Sequence, residues 1–453
     1  MEKVRIAMIG VGAISGIYLQ NITKVFREVD LVGVCDLIPE RAQKGAGYVE
    51  EQIKEGAAVR QPKIYKDMYE AFNDPEVEVI LNLTRPHEHY EVTKQGLLHG
   101  KHVYSEKPLA VDMDEARELV ALAEEKGLRL GGAPDTFMGA GIQTARRVID
   151  QGLIGDVVGA SCAMVCHGHE TWHPDPEFYY KRGGGPMMDM GPYYVTALVQ
   201  LLGPAKGVMG MTKRTFPHRT ITSQPHYGEN ISVDVDTYLS GNILFENGAI
   251  AQIFTTFDVY YGRGAQARFE VYGTQGTLVV PDPNTFGGPV LLLRPEDQAA
   301  APATDPALER KKVPSFYDGY KEIPLLFDYN ENSRALGLAD MCKALRTGRD
   351  HRANYQQQRH VLEIMTSFSK SCQQGEYIAL ESGYTRTAPM KNNPMHGVLD
   401  DRAVCPYRIY TLNFRRNTHE SSLYRLDLDY QPRARSRQEP AEAGLPGVQV
   451  PGL

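Results

Sequence analysis

The chain has 453 residues, of which 42% are hydrophobic, and a formal net charge of −7 at pH 7. This length and composition fit a globular protein of two domains, and the negative charge argues against a nucleic-acid-binding surface, which needs clustered Lys and Arg. No apolar run reaches the roughly 18 residues that cross a bilayer, and a strand pattern that starts at once leaves no room for a signal peptide.

The first third of the chain alternates continuous apolar runs with segments of helical spacing. Continuous apolar runs are typical of buried parallel strands, so the alternation predicts a doubly wound α/β domain of the Rossmann type over residues 1–130. Strands are predicted over 4–10, 29–36, 77–84, 101–106 and 128–133, and helices over 13–26, 39–53, 87–100 and 114–127.

The pattern changes after about residue 155, where β-branched runs are separated by turn signals such as Asn247-Gly248. These runs predict an α+β domain with a large, mostly antiparallel sheet over residues 131–390, which would supply the substrate pocket. Strands are predicted over 231–245, 249–259, 267–273 and 277–281, and helices over 334–348 and 356–372.

Residues 391–453 differ in composition from the rest of the chain. They contain eight arginines to one lysine, show no clear periodicity and end in a stretch rich in Pro, Gly and Ala. This composition predicts a disordered tail.

The segment GVGAISG, residues 10–16, follows the first strand and opens the first helix. That is the context of a dinucleotide-binding loop. Gly10 permits the tight turn, and Gly12 lets the backbone approach a pyrophosphate at the helix N-terminus. The third position of the fingerprint holds Ser15, with Gly16 beside it.

Asp36 ends the second predicted strand, 20 residues after Gly16. A carboxylate at this place accepts hydrogen bonds from the ribose hydroxyls and repels a 2′-phosphate, so NAD is predicted in preference to NADP. Arg41, a few residues further on, keeps NADP open as an alternative.

A loop with the sequence SEKPLA, residues 105–110, leaves the end of another buried strand. Adjacent residues of an extended segment point in opposite directions, so Glu106 and Lys107 are not expected to pair with each other. Pro108 restrains the backbone of Lys107.

Together these segments resemble the Gfo/Idh/MocA oxidoreductases, the family of glucose–fructose oxidoreductase and inositol dehydrogenase. The resemblance runs from residue 1 to about 385 and implies a homo-oligomer, a dimer or a tetramer. It is carried by Gly10-Val11-Gly12, Asp36, LTRPHEHY (83–90), GKHVYSEKPLA (100–110) and GGGPMMDMGPYY (183–194). The cofactor-binding residues that the resemblance implies are Gly10, Gly12, Ala13, Ile14, Asp36, Thr84, Arg85, His87, Glu106 and Lys107.

The resemblance also implies the catalytic residues Lys107, Asp189 and Tyr193. The family commonly has D-x-G-x-H where this chain has Asp189 and Tyr193, so a tyrosine replaces the usual histidine. Lys107 would lie between the nicotinamide and the reacting carbinol, with its pKa lowered beside the cationic ring. Its charge is in turn expected to lower the pKa of Tyr193, while Asp189 orients both.

The segment 162–182 is rich in Cys, His and aromatic residues. Cys162, Cys166 and His167 suggest a metal site, but no second paired cluster follows, so no metal is predicted. The segment is interpreted as a sugar-binding loop, with a packed loop as the alternative. Its predicted substrate-binding residues are His169, Trp172, which is the only tryptophan of the chain, His173 and Tyr180.

The six cysteines are scattered along the chain. Scattered cysteines in a large chain favour reduced thiols and predict a cytoplasmic location. They are Cys35, Cys162, Cys166, Cys342, Cys372 and Cys405.

The sequence therefore predicts an NAD-dependent oxidoreductase that acts on the CH–OH group of a sugar, glycoside or polyol, without nucleic-acid or membrane partners. Two alternatives remain open: a redox-neutral, NAD-dependent glycosidase of the same superfamily, and a non-catalytic sensor of NAD and sugar. Retention of Lys107 and Asp189 argues against the sensor. The sugar, the oxidised carbon and the direction of reaction are left undetermined.

Overall fold

The computed structural model of the chain describes residues 2–58, 60–260, 268–299, 319–391, 396–399, 407–411 and 424–428. The N-terminal part is a six-stranded parallel sheet in the order β3-β2-β1-β4-β5-β6, the order of dinucleotide-binding folds. Its strands are β1 (Val4–Ile9), β2 (Val29–Cys35), β3 (Lys63–Ile64), β4 (Val79–Asn82), β5 (His102–Ser105) and β6 (Leu130–Gly132). The helices are α1 (Ser15–Lys24), α2 (Pro39–Lys54), α3 (Met68–Asn73), α4 (His89–Leu98) and α5 (Met113–Glu125).

The predicted Rossmann domain is thus confirmed, and the elements that prediction missed are its shortest strand and its shortest helix. The edge strand β3 has two residues, both exposed, which is too short for a periodic signal. Helix α3 has six residues and begins at Asp67, whose side chain accepts a hydrogen bond from the amide of Glu70. This N-cap is a local signal that marks the start of even a short helix.

The second part is built on a nine-stranded sheet in the order β16-β15-β14-β13-β7-β12-β11-β8-β17, with β7 and β12 parallel and the other pairs antiparallel. This confirms the predicted, mostly antiparallel sheet. Its strands are β7 (Val157–Val165), β8 (Ala205–Lys213), β11 (Tyr238–Phe245), β12 (Ile250–Thr256), β13 (Arg268–Gly273), β14 (Gly276–Val279), β15 (Val290–Leu293), β16 (Lys321–Ile323) and β17 (Ile378–Ala379). The helices are α6 (Ala140–Asp150), α7 (Pro186–Asp189), α8 (Gly191–Leu202), α9 (Pro295–Ala299), α10 (Leu336–Thr347) and α11 (Tyr355–Gln374).

The large sheet has one buried and one open face. Val208, Ile243 and Ala251 are in register on neighbouring strands and fully buried, on the side where α8 and α11 contact the sheet. The adjacent residues Met209 and Asn242, also in register, are exposed on the other side. Because successive side chains of a strand alternate between faces, the helices of the described residues cover one face of the sheet and leave the other open.

The strand predicted over 231–245 is two strands. Its first residues form β10 (Asn230–Ser232), which pairs with β9 (His218–Thr220) in a separate two-stranded sheet. The chain then leaves the strand, because the amide of Asp234 donates to the carbonyl oxygen of Tyr180 at 2.9 Å. A tertiary hydrogen bond therefore interrupts a segment whose composition alone indicates one continuous strand.

Short parts of the tail that is predicted to be disordered lie among the described residues. Leu399 is buried, and its amide donates to Glu28 Oε1 at 2.8 Å, while the carbonyl oxygen of Gly397 accepts from the amide of Arg27 at 3.1 Å. Separately, β18 (Tyr407–Thr411) and β19 (Tyr424–Leu428) pair antiparallel. Most of the tail, with Cys405, lies outside the described residues, and its disorder stays a prediction.

Within the ranges that the structure describes, every helix is too short or too polar to span a bilayer.

Candidate active site

The glycine loop joins β1 to α1 at the carboxyl end of the parallel sheet. Gly10 has φ +93°, and a Cβ on it would lie 2.7 Å from the carbonyl oxygen of Leu83, so only glycine fits. A Cβ on Gly12 would meet no atom of the described residues within 4 Å. Gly12 therefore faces open space beside the N-terminus of α1, as a closely approaching pyrophosphate requires.

Two features complete this loop as a dinucleotide site. Ser15, at the third position of the fingerprint, donates its hydroxyl to the carbonyl oxygen of Gly12 at 2.7 Å. The Asp36 carboxylate accepts from the amides of Val11 at 2.7 Å and Ile38 at 2.8 Å. These contacts hold the carboxylate beside the loop, where a ribose would lie, so the residues present fit NAD. Ala13 and Ile14 follow Gly12 and lead into α1.

The loop after β4 carries three further predicted cofactor residues. Thr84 donates its hydroxyl and its amide to Asn82 Oδ1, at 2.6 and 3.2 Å. His87 is exposed. Arg85 is also exposed, but its guanidinium pairs with Asp175 at 2.6 Å. In this structure Arg85 thus binds the loop of the second part.

His89, which the sequence analysis did not select, links two loops of the site. Its ring is fully buried, with Nδ1 2.8 Å from the carbonyl oxygen of Pro108 and Nε2 3.0 Å from that of Thr84. Burial lowers the pKa of His89, while the two carbonyl oxygens act in the opposite direction. The one available signal was a histidine at the first position of an otherwise ordinary helix.

As the sequence predicts, Glu106 forms no ion pair with the side chain of Lys107 among the described residues. Glu106 Oε1 accepts from the Tyr18 hydroxyl at 2.7 Å, and Oε2 accepts from the backbone amide of Lys107 at 3.0 Å. Since Tyr18 is on α1, Glu106 anchors the SEKPLA loop, residues 105–110, to the helix that follows the glycine loop.

Lys107 and Asp189 form an ion pair that is mostly shielded from solvent. Lys107 Nζ donates to Asp189 Oδ1 at 2.8 Å and to the Asp189 carbonyl oxygen at 2.7 Å, and their side chains are 16% and 14% exposed. Burial by itself lowers the pKa of Lys107, but the Asp189 carboxylate outweighs it and raises that pKa well above its usual value. This corrects the expected lowering, because the carboxylate is in contact with the ammonium.

Asp189 also binds His169, and this contact joins segments 20 residues apart. Asp189 Oδ2 is 3.0 Å from His169 Nε2, and His169 Nδ1 accepts from the indole N–H of Trp172 at 3.2 Å. Burial would raise the pKa of Asp189, but Lys107 and His169 hold it well below its usual range. The predicted role of Asp189 in orienting Lys107 and Tyr193 stays a prediction; the contacts that the structure gives its oxygens are with Lys107 and His169.

Tyr193 lies beside Lys107, which sits over the phenol ring with Nζ 5.3 Å from the ring centroid. The tyrosine also interacts with Arg334, a residue that the sequence analysis missed because it follows Asp189 by 145 positions. Burial raises the pKa of Tyr193 more than Lys107 and Arg334 lower it. The expected net lowering is therefore wrong, because the side chain is withdrawn from solvent.

The predicted sugar-binding residues differ in their solvent exposure and in the direction of their side chains. Trp172 is 60% exposed, and His173 Nδ1 accepts from the amide of Asp175 at 3.0 Å. Tyr180 is fully buried and donates its hydroxyl to Glu170, so its phenol points into the protein rather than into the site. Its neighbour Tyr179 lies against His169 instead, with ring centroids 4.2 Å apart.

Arg219 anchors this loop from β9. Its side chain is 5% exposed, and it pairs with Glu170 at 2.8 Å and with Asp258 at 2.5 Å. It also donates to the carbonyl oxygens of His167 at 2.9 Å and Phe257 at 2.8 Å. The arginine thereby fixes the backbone two residues before His169 and the backbone of Phe257, whose ring packs against His169.

In the part of the chain covered by the structure, no three His, Cys, Asp or Glu side chains are grouped to hold a metal ion. Cys162 is buried within β7, and burial raises the pKa of its thiol.

Comparison with known proteins places this site in a family. Residues 4–132 match the family described as "Oxidoreductase family, NAD-binding Rossmann fold", and residues 142–279 match the GFO/IDH/MocA C-terminal domain. D-xylose dehydrogenase from Paenarthrobacter nicotinovorans is 26% identical over 293 residues, 63% of this chain and 73% of that protein. 1,5-anhydro-D-fructose reductase from Ensifer adhaerens is 28% identical over 326 residues, 70% of this chain and 89% of that protein.

Solved structures show the same fold. A levoglucosan dehydrogenase in complex with NADH and levoglucosan superposes with a TM-score of 0.67 at 19% identity, covering 84% of this chain and 100% of that one. An NAD-binding oxidoreductase from Klebsiella pneumoniae gives a TM-score of 0.66 at 19% identity, covering 83% of this chain and 99% of that one. The two matched regions span most of the Rossmann part and the sheet-forming core of the second part, and this chain belongs to the Gfo/Idh/MocA family as an NAD-binding oxidoreductase.

Proposed function

We propose that this protein transfers a hydride between a carbinol carbon of a sugar, glycoside or polyol and NAD. The main observation behind the proposal is the ion pair of Lys107 and Asp189, which is mostly shielded from solvent. Lys107 leaves the carboxyl end of β5, and the glycine loop leaves the same end of β1. In open parallel sheets ligands bind at this edge, so the pair lies where a cofactor and a substrate meet.

Lys107 is positioned to donate a hydrogen bond to the reacting oxygen. Among the described residues, its two contacts with Asp189 use two of the three ammonium N–H groups. The third is left for a substrate oxygen. Because Asp189 keeps the ammonium protonated, Lys107 stabilises negative charge on the substrate oxygen rather than removing its proton.

Some of the proposed cofactor residues would bind NAD directly, and Glu106 would hold the Lys107 loop beside it. Gly12 and the N-terminus of α1 would hold the pyrophosphate, Asp36 the ribose hydroxyls, and the Thr84 loop lies beside them. When bound, NAD supplies the acceptor or donor of the hydride. Glu106 links this cofactor site to the Lys107 loop through Tyr18.

A sugar substrate is supported by the loop around His169 and by relatives. Trp172 and Tyr179 provide aromatic surface next to an imidazole, an arrangement that suits the apolar faces and hydroxyls of a sugar. Proteins similar to this chain are named as dehydrogenases or reductases of xylose, inositol and anhydrofructose.

The test is a panel of aldoses, polyols and glycosides, each incubated with NAD⁺ and with NADP⁺. We expect NADH formation with at least one sugar, and a preference for NAD⁺ of about tenfold or more. The reason is that two like charges near a protein surface repel by roughly 1–4 kcal/mol at 4 Å, and Asp36 would face the 2′-phosphate. Release of free sugar from glycosides without net NADH would indicate the redox-neutral glycosidase instead, and binding without turnover would indicate the sensor.

We propose a cytoplasmic homo-oligomer, a dimer or a tetramer, without nucleic-acid partners. The support is the open face of the large sheet, where Met209, Met211 and Ile250 are exposed. An extended apolar sheet face is a common site of subunit contact. The location is supported by the cysteines of the described residues, which are unpaired. Sedimentation velocity measures the assembly, and a monomer at micromolar concentration would contradict it.

A further inference from the structure

The protonation of His169 follows from its two neighbours. An indole N–H only donates, so His169 Nδ1, 3.2 Å from Trp172 Nε1, carries a lone pair. The ring proton is then on Nε2, which donates to Asp189 Oδ2 at 3.0 Å. A carboxylate bound to one ring nitrogen therefore fixes the tautomer and leaves the other nitrogen as a base, the arrangement of a His–Asp pair in hydrolases.

The Trp172 indole, which donates to His169 Nδ1, is itself largely exposed to solvent. Trp172 is 60% exposed, whereas the side chains of His169 and Asp189 are 13% and 14% exposed. The packing of the imidazole comes mainly from Tyr179 and Phe257, with ring centroids 4.2 and 4.7 Å away. The exposed indole thus lies over His169 Nδ1, on a ring that is mostly shielded from solvent.

We propose that Trp172 is a displaceable cap and that His169 is the proton-accepting residue of the site, so that a substrate hydroxyl replaces the indole N–H at His169 Nδ1. This inference deepens the proposed function and rests on it. A hydroxyl group has the same donor character as the indole N–H, so the exchange keeps His169 Nδ1 hydrogen-bonded throughout.

The reaction step balances with the groups already described. The carbinol C–H bond breaks and its hydride passes to NAD⁺, which is reduced. The O–H bond breaks and its proton passes to His169 Nδ1, giving an imidazolium that Asp189 stabilises. The carbonyl oxygen formed accepts a hydrogen bond from Lys107. Neither of the other candidates accepts this proton, because Lys107 is held protonated by Asp189 and Tyr193 is a buried phenol.

Trp172 is the only tryptophan of the chain, so 5-fluorotryptophan labelling of the full-length protein gives one ¹⁹F resonance that reports on the cap. We expect glycerol, D-xylose or myo-inositol at saturation to move this resonance when the indole leaves His169. Binding is measured independently by calorimetry. A saturated wild-type protein whose resonance stays in place would overturn the proposal.

Variants test the same contact without a substrate. His169→Gln removes the ring nitrogen, so we expect the resonance of the ligand-free protein to move and kcat to fall about 10²–10⁴-fold. His99→Gln, at the end of α4, is the matched control and should change neither. A ligand-free resonance that His169→Gln leaves at the wild-type position would also overturn the proposal.

The variant Trp172→Phe tests whether Trp172 is a displaceable cap or a residue that binds the substrate. It keeps an aromatic ring but loses the N–H, so substrate no longer has to break a hydrogen bond. We expect kcat/KM to rise about two- to tenfold, the size of one neutral hydrogen bond. A fall comparable to that of His169→Gln would contradict the cap. Absence of turnover with the ¹⁹F shift intact would contradict the proposed reaction and leave the cap supported.

Discussion

Replacing Lys107 with methionine is expected to lower kcat/KM by about 10²–10³-fold, the usual cost of removing one hydrogen-bond donor to an oxygen that becomes negative in the transition state. Cofactor affinity should change little, because the contacts of Gly12 and Asp36 do not involve this side chain. Lys107→Arg should not restore activity, since a planar guanidinium does not reproduce a compact ammonium held between two oxygens of Asp189.

The loss must be separated from misfolding, since the methionine leaves Asp189 buried without its main counter-charge. Adding Asp189→Asn to Lys107→Met should recover stability without recovering activity. Lys94→Met is the matched control, because Lys94 forms a surface pair with Glu118 that contributes at most about 1 kcal/mol. Near-normal turnover by a folded Lys107→Met protein would show that the loop is a structural clamp.

Replacing Arg219 with methionine is expected to lower the free energy of unfolding by about 3–5 kcal/mol, the usual cost of removing one partner from a buried ion pair. The change leaves Glu170 and Asp258 buried without their shared cation, with side chains 5% and 2% exposed. It also leaves the carbonyl oxygens of His167 and Phe257, two residues close to His169, without this donor. We therefore expect KM for the sugar to rise as well.

Arg182→Met is the matched control for this prediction. Arg182 also pairs with two carboxylates, Asp112 and Glu115, but its side chain is 64% exposed, so its removal should cost at most about 1 kcal/mol. Urea unfolding measures both variants. Adding Glu170→Gln to Arg219→Met should recover part of the loss, because it removes one of the two uncompensated charges. Equal stability of the two arginine variants would rule out the anchoring role.

The cofactor site was predictable because its signals are local. The turn at Gly10 and the carboxylate of Asp36 lie within one βαβ unit, where short-range steric and hydrogen-bonding constraints act. The Lys107 loop was found by resemblance, as was Asp189, since neither residue has a distinctive pattern of its own. The large sheet was visible in its β-branched runs, but the break after β10 was not, because it depends on a hydrogen bond from Asp234 to a residue 54 positions earlier.

The charge states of the site were beyond sequence reasoning. The predicted lowering of the Lys107 pKa assumed a neighbour of the same sign, whereas the ammonium contacts the Asp189 carboxylate. The predicted lowering of the Tyr193 pKa neglected burial, which has the larger effect. Direction of a pKa shift depends on distances and solvent exposure, and neither is encoded in residue spacing.

By itself the sequence determined the Rossmann domain and the dinucleotide loop, because these follow from local periodicity and from short motifs, while the kind of chemistry was implied by the family resemblance. Only the tertiary structure decided which side chains of the second part meet them. It brings His169 to Asp189, turns Tyr180 into the protein and Tyr179 toward the imidazole, and places Trp172 over His169 Nδ1. The physical reason is that these orientations are set by the packing of the loop on Arg219 and β9, which no pattern within the loop specifies.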